Sequence, residues 1–307
     1  MKKSLAVLII LLFAGGGLSR AESLDAWEEE ELSSSKQTQA QPGPVSQATS
    51  APVSTTVRLD SNWDLRVYSG LDVSLMDDLV SGMQTFANYV QDSFSNISRS
   101  TSTFSRPGFL FGARVERLLN PQNSLLFGME SVMGTGGTDA ILATNGEVQT
   151  VMVDPTLVDL SLNYRHYFSP EKDGGSYLGL GGGWYHTNIN YSDTVNVPGG
   201  NLASGSFTGD CFGATLELGQ EWKIGDSVGI ELWGRLRWAV IDKVTSTNLA
   251  GAVINPADPQ TWTLGIERIK GLVYGTTNDI DSSNGLVQYA VVDYSGADLG
   301  LSFVTHF

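Results

Sequence analysis

Alternate residues between Asp298 and Phe307 belong to two different chemistries. Leu299, Leu301, Phe303, Thr305 and Phe307 lie on one side of an extended chain, and Asp298, Gly300, Ser302, Val304 and His306 lie on the other. A period of two over this length predicts a β-strand with one apolar and one polar face. Such a strand suits a wall between lipid and a polar interior, or the edge of a soluble sandwich. Beyond the first 21 residues no apolar run approaches the ~20 residues that a membrane-spanning helix needs, so any membrane crossing has to be made by strands.

The other end of the chain points the same way. Lys2 and Lys3 precede an apolar stretch from Leu5 to Ala14, and Ser19-Arg20-Ala21 has the small-x-small form of a cleavage site. Residues 1–21 are therefore expected to be a secretory signal peptide. No cysteine adjoins the site, which argues against a lipid anchor there. Residues 22–57 carry the acidic run Glu28 to Glu31 and then a Ser/Gln/Thr/Ala/Pro stretch, too poor in apolar side chains to offset the entropy of ordering. They are expected to be a disordered periplasmic linker, with a partner-binding tail as the alternative.

The formal charge of −15 falls to about −18 once Lys2, Lys3 and Arg20 leave with the signal, so nucleic acid is excluded as a partner. The lone cysteine, Cys211, rules out an internal disulfide framework. The 35 glycines, 41% hydrophobic residues and mean hydropathy near zero suit a turn-rich β protein.

Alternation recurs from Trp63 onward: Trp63 to Leu75, Phe109 to Leu119, Leu125 to Met133, Val158 to Phe168, Leu178 to Trp184, Phe212 to Trp222, Val228 to Val240, and the terminal strand. That makes about eight strands. Trp262 to Tyr274 and Leu286 to Val292 are also strand-like, so they are either an extracellular hairpin extension or two further strands, making ten. Short turns, such as Asn120 to Asn123 and Gly225 to Ser227, alternate with four long connections, roughly 76–107, 134–156, 191–206 and 242–288. This asymmetry, and aromatics near strand ends (Trp63, Phe168, Tyr177 and Trp222 at one side; Trp184, Tyr191 and Trp238 at the other), match an up-and-down transmembrane barrel.

The pattern of Leu299, Leu301, Phe303 and Phe307 resembles the assembly signal of Gram-negative outer-membrane β-barrels, with Thr305 where a larger apolar residue is usual. Residues 58–307 are accordingly similar in architecture to the small OmpA/OmpX/OmpW-like barrels. The resemblance implies an all-β, transmembrane antiparallel barrel in the cell outer membrane, in contact with outer-membrane lipid and lipopolysaccharide and handled by the barrel assembly machinery. A peptidoglycan-binding domain after the barrel is not expected, and the extracellular partner is unknown.

Period two assigns charges of both signs to the inward face: Arg114, Glu116, Glu130, Asp159, Arg165, Glu217, Glu231, Arg235 and Arg237. A register with Glu116 opposite Gly128 would place Arg114 opposite Glu130 as a cross-strand ion pair. An eight-stranded barrel is just wide enough to be filled by side chains, so these charges predict a polar core, or alternatively a charged constriction in a narrow pore. The stripe Gly179, Gly181, Gly183 either accommodates long neighbours such as Arg165 or leaves a groove. In the first long connection Leu79, Met83, Phe86, Val90, Phe94 and Ile97 recur at helical spacing and predict an amphipathic helix, capping the mouth, lying at the lipid interface or docking a partner.

No catalytic, cofactor or metal motif stands out. His186-Thr187-Asn188 lacks the serine that a lipid-modifying barrel would place at Asn188. Asp279-x-Asp281-x-Ser283 resembles a calcium loop but has Asn284 at the glycine position and no closing glutamate. The expected function is a non-enzymatic structural or surface-interaction role through long loops; a narrow channel for small solutes comes next, and an outer-leaflet lipid-modifying enzyme third.

Overall fold

The computed structural model describes residues 63–105, 107–168, 174–197, 200–251, 254, 261–267, 270–276 and 287–307. The expected signal peptide, the linker and the calcium-like loop at Asp279 to Ser283 lie outside the described residues.

The described residues are all-β apart from one helix. In order it forms β1 (Trp63–Ser74), α1 (Asp77–Ser93), β2 (Ile97–Ser105), β3 (Pro107–Asn120), β4 (Asn123–Met133), β5 (Gly136–Ala143), β6 (Val148–Tyr167), β7 (Gly174–Val195) and β8 (Asn201–Lys223). There follow β9 (Val228–Trp238), β10 (Val240–Ile241), β11 (Thr245–Ser246), β12 (Trp262–Glu267), β13 (Gly271–Thr276), β14 (Val287–Tyr289), β15 (Val292–Asp293) and β16 (Gly296–His306). Among the described residues sixteen segments exceed the eight to ten that alternation alone predicts.

The excess has a simple origin. Antiparallel pairings run from β1 to β3, β4, β6, β7, β8, β9 and β16, and β16 pairs back with β1. The other segments belong to a distal storey. Strands β6, β7 and β8, of 20, 22 and 23 residues, run well past the 11 residues of β4, β9 and β16. On their distal halves the sheet continues through β5 to β2 at one side, and through β11 and β12 to β13 at the other. The hairpin β12–β13 therefore extends the distal sheet, and of the segment Leu286 to Val292 the described residues supply β14 and β15. The third long connection shrinks to the residues between Val195 and Asn201, because its flanks are strand.

Helix α1 packs against β2 and β13, the outermost strands of the distal sheet, and against β5, β12 and β15. Its first turn carries Asp77 and Asp78, which complement the positive end of the helix dipole, and Asp78 accepts the Val291 N–H at 3.3 Å. Leu79, Met83, Ala87 and Val90 are buried and Phe86 is partly so. The predicted stripe is too long by two residues. Phe94 ends the helix with extended backbone and stays exposed, and Ile97 begins β2. The run Ile97-Ser-Arg-Ser-Thr-Ser-Thr is rich in β-branched and hydroxyl residues, which favour strand over helix.

The faces of the strands exchange polarity between the two storeys. On β6 the inward residues are Val151, Val153 and Leu157 distally, then Asp159, Ser161, Asn163 and Arg165, all buried. Outward, a face that is polar at Thr150, Asp154 and Thr156, with Met152 exposed among them, gives way to the exposed Val158, Leu160, Leu162 and Tyr164. Strand β7 switches outward from Trp184 to His186, and β8 from Phe212 to Asp210; His186 pairs with Val158 and Asp210 with His186. The change falls at one level across three strands. Below it the outer wall exposes Phe109, Phe127, Met129, Leu162, Leu180, Leu301 and Phe303, and Phe212 at the boundary is 85% exposed. Soluble surfaces rarely carry so continuous an apolar band. No helix among the described residues is long and apolar enough to cross a membrane, which says nothing of strands.

Candidate functional site

Inside the ring of β1, β3, β4, β6, β7, β8, β9 and β16 the period-two faces converge, and what they bring together is charge. Asp64, Asp72, Glu116, Glu130, Asp159, Glu217, Glu221, Glu231 and Asp298 are buried there with Arg66, Arg114, Arg165, Arg235 and Arg237. All nine charged residues assigned from sequence to the inward face are in this group. Arg66, Asp64, Asp72, Glu221 and Asp298 join them, and so does His306, which period two already turns inward; Glu221 shares the face of Glu217 on β8, and the others lie on the polar faces of β1 and β16, which is the signal that could have found them.

Arg66 is the hub of the proximal half. Its Nε donates to Glu116 at 2.7 Å, and its Nη2 to Glu116, to Glu221 at 2.8 Å and to the Tyr167 hydroxyl at 3.1 Å. Its Nη1 lies 3.2 Å from Glu231. Glu116 also accepts from Ser124 and, at 2.7 Å, from Tyr167. His306 closes this end, its Nδ1 2.7 Å from Asp64. A guanidinium shared among carboxylates with planar, fork-like donors is the arrangement in which arginine outperforms lysine.

Arg165 and Arg114 link the halves through Glu217. Arg165 donates to Glu231 at 2.7 Å and to Glu217, while Arg114 Nη1 donates to Glu217 at 2.6 Å. Arg165 lies 4.0 Å over the Tyr177 ring, and Arg114 lies 4.6 Å over Tyr68 and 5.5 Å over Trp233. Further up, Arg235 donates to both oxygens of Glu130 and at 2.6 Å to Asp298; Arg237 donates to Asp72 and, at 3.0 Å, to the Tyr294 carbonyl.

Two expectations about this interior need correction. Arg114 stands opposite Gly128, and Glu130 opposite Gly112, so the β3–β4 register differs by two residues from the one expected. The ion pair survives only as a diagonal contact at 3.6 Å. A slip of two leaves every side chain on its own face, which is why alternation could not detect it. Tyr177 and Tyr191, assigned to aromatic girdles, point inward and are buried; Tyr177 shares its face with the glycine stripe.

That stripe makes room for neighbours. A Cβ at Gly179 would meet Arg165 Cγ at 3.4 Å, and one at Gly181 would run into the Asn163 amide. Elsewhere in the ring, Gly219 clears the Tyr177 ring and Gly300 clears Trp233. Absent side chains here are matched by long ones across the ladder, so the groove alternative does not arise at Gly179 and Gly181.

Outside the ring, Leu299, Leu301, Phe303 and Phe307 are exposed on the outer wall. Trp63, Phe168 and Trp222 are exposed near the end carrying the short turns, and Trp238 near the polarity switch. His186 stacks on Trp184 at 5.5 Å and its Nδ1 is 2.8 Å from Asp210, both acidic and imidazole groups being open to solvent. In the distal storey Asp139 is buried beneath β2, and burial pushes its carboxyl up to about 6. Cys211 is partly buried and unpaired with any thiol. Among the described residues no group of three His, Cys, Asp or Glu side chains is placed to hold a metal ion.

Comparison with known proteins adds a structural likeness. No family model matches the chain, and no curated protein matches it. Among solved structures it is similar to the outer membrane protein OprG from Pseudomonas aeruginosa, at 12% identity and a TM-score of 0.39, over 80% of this chain and 96% of that one.

Proposed function

We propose that the protein is an integral outer-membrane β-barrel whose lumen is filled by a charged core, and that it serves a non-enzymatic structural or surface-interaction role through its distal storey. The observation that carries this reading is the exchange of polarity at the level of Val158, His186 and Asp210. An apolar outer wall around a charged interior suits a ring immersed in lipid; a polar outer wall around an apolar interior suits a domain standing in water. From Val158 to Phe168 the outer wall of β6 rises about 33 Å along the strand, which at a tilt of about 40° spans a band of about 25 Å, the usual height in such barrels. The short-turn end then faces the periplasm, α1 and the distal sheet face outward, and the exposed Leu299, Leu301, Phe303 and Phe307 are available to the barrel assembly machinery and then to outer-membrane lipid and lipopolysaccharide.

The arginines support filling over flow. Each bridges strands that are not neighbours, as Arg66 on β1 does to Glu221 on β8 and Arg114 on β3 does to Glu217 on β8. Planar-bilayer recording tests it: the wild type should give no steady conductance, and replacing Arg235 and Arg237 together should lower stability more than it alters permeation. Ion-selective single-channel steps in the wild type would overturn the plugged reading in favour of a narrow channel for small solutes. That second reading draws on the surplus of buried carboxylates over arginines, a bias expected of a cation path.

A further inference from the structure

One carboxylate of that surplus stands apart. Across β4 and β6, Glu130 stands directly opposite Asp159, and across β6 and β7 Asp159 stands opposite Tyr185. Like charges in directly opposed positions are destabilising unless something intervenes. Glu130 is fully engaged, with Arg235 on both oxygens and the Tyr68 hydroxyl at 3.0 Å. Asp159 accepts no hydrogen bond and enters no close ion pair, although the charges of Arg235, Arg114 and Arg237 reach it. It is wholly buried, and neither carboxylate oxygen has a hydrogen-bond partner. The nearby arginines direct their ion pairs elsewhere: Arg114 to Glu217 and Glu130, Arg235 to Glu130 and Asp298, and Arg237 to Asp72, Glu130 and Asp298.

Two more orphans adjoin it. Ser161, two residues along the same face, and Tyr185, across the ladder, are buried with hydroxyls that have no partner. Ser161 faces Gly128 and Gly183, which have no side chains to cover it, and the Arg114 stem leans over Gly128.

We infer that Asp159, with the hydroxyls of Ser161 and Tyr185, binds a small monovalent cation of sodium or potassium size within the ring. The donor set is all oxygen, the preference of hard cations. Its one unengaged carboxylate balances a single positive charge; a divalent ion would need a second, and Glu130 is already spent on Arg235. Arg114, Arg235 and Arg237 oppose the binding, but Asp72, Glu130, Asp159, Glu217 and Asp298 outnumber them, so the local field favours a cation. A buried carboxylate that accepts no hydrogen bond is neutralised by taking up either a cation or a proton. The cation is a fixed constituent of the core, whether or not the lumen conducts.

The test is equilibrium unfolding of the whole chain refolded in detergent, in sodium, potassium or N-methylglucamine chloride at one ionic strength. The wild type should be more resistant in sodium or potassium, with a saturable dependence on concentration. Asp159→Asn should abolish the difference, and Ser161→Ala with Tyr185→Phe, which keeps the carboxylate, should weaken the apparent affinity at least about tenfold. A wild type indifferent to the cation overturns the site, whatever the variants do. So does a cation dependence undiminished in Asp159→Asn, or, should that variant not fold, undiminished in the Ser161/Tyr185 double variant. Indifference to the cation together with a protonated-carboxyl infrared band that Asp159→Asn removes would assign the position a proton instead.

Discussion

Strand β6 passes through two environments that solve the same problem in opposite ways. Its distal half turns Val151, Val153 and Leu157 inward against Met83, Phe207 and Leu264, and shows Thr150 and Asp154 outside. Its proximal half turns Asp159, Asn163 and Arg165 inward and shows Leu160 and Leu162 outside. The distal storey gains stability from the hydrophobic effect, which is non-directional and proportional to area. The proximal ring also buries Trp233, Tyr167, Tyr177, Leu126 and Val304, but it interleaves them with directional ion pairs whose loss leaves charge exposed to a low-dielectric interior. Damage should therefore spread differently in the two.

The largest effect is expected at Arg66. Replacing it with methionine removes the guanidinium that Glu116, Glu221 and Glu231 share, and breaking a buried pair costs about 3–5 kcal/mol. Urea unfolding should show one cooperative, early transition of the ring; a change under about 1 kcal/mol would mean the proximal core is hydrated and the contrast between the storeys false.

Met83→Ala in α1 should cost about 2–5 kcal/mol, but locally. Hydrogen exchange should accelerate in α1, β2 and β13 while β1, β9 and β16 remain protected. Equal loss of protection in both sets would show the storeys to be one cooperative unit.

The outer wall gives a paired test. Leu162→Arg, in the apolar band, should destabilise lipid-embedded protein by about 2–4 kcal/mol if it lies near the bilayer midplane, whereas Asn190→Arg, above the switch on β7, should have little effect. Similar values for the two would place the lipid boundary elsewhere.

The smallest effect concerns pH. Burial raises the folded-state carboxyl of Asp139 to about 6 from an ordinary value near 3.8. The unfolded chain therefore gives up this proton more readily than the folded one, and stability should fall as pH rises between about 4 and 6, then level off. Asp139→Asn should flatten that segment of the stability profile and slightly stabilise the protein at neutral pH. A profile with the same slope in the variant would show that Asp139 is not its source.

Much of the ring was legible because its periodicity is local. Each of Arg114, Glu116, Glu130, Asp159, Arg165, Glu217, Glu231, Arg235 and Arg237 occupies the face that alternation assigns it, as do the exposed residues of β16. The distal halves of β6, β7 and β8 were hidden, since Asn188, Asn190, Ser192, Ser204 and Ser206 have the composition of a loop and their inward partners are interrupted by glycine and threonine. The helix was legible from Leu79 to Val90 and misread beyond, where Phe94 and Ile97 keep helical spacing by coincidence.

The chain by itself determined which side chains share a face and where that face changes from apolar to charged, because alternation of Cβ direction is a property of any extended strand. It also determined that an interior of arginines and carboxylates has to be satisfied within itself. Which carboxylate each arginine takes was decided only by the tertiary structure. Register slips of two residues preserve every face, and the bonds from β1 to β8 or β3 to β8 cross an interior whose width depends on the pairing of all the strands around it. For the same reason, no local pattern could single out Asp159 as a carboxylate of the ring that accepts no hydrogen bond.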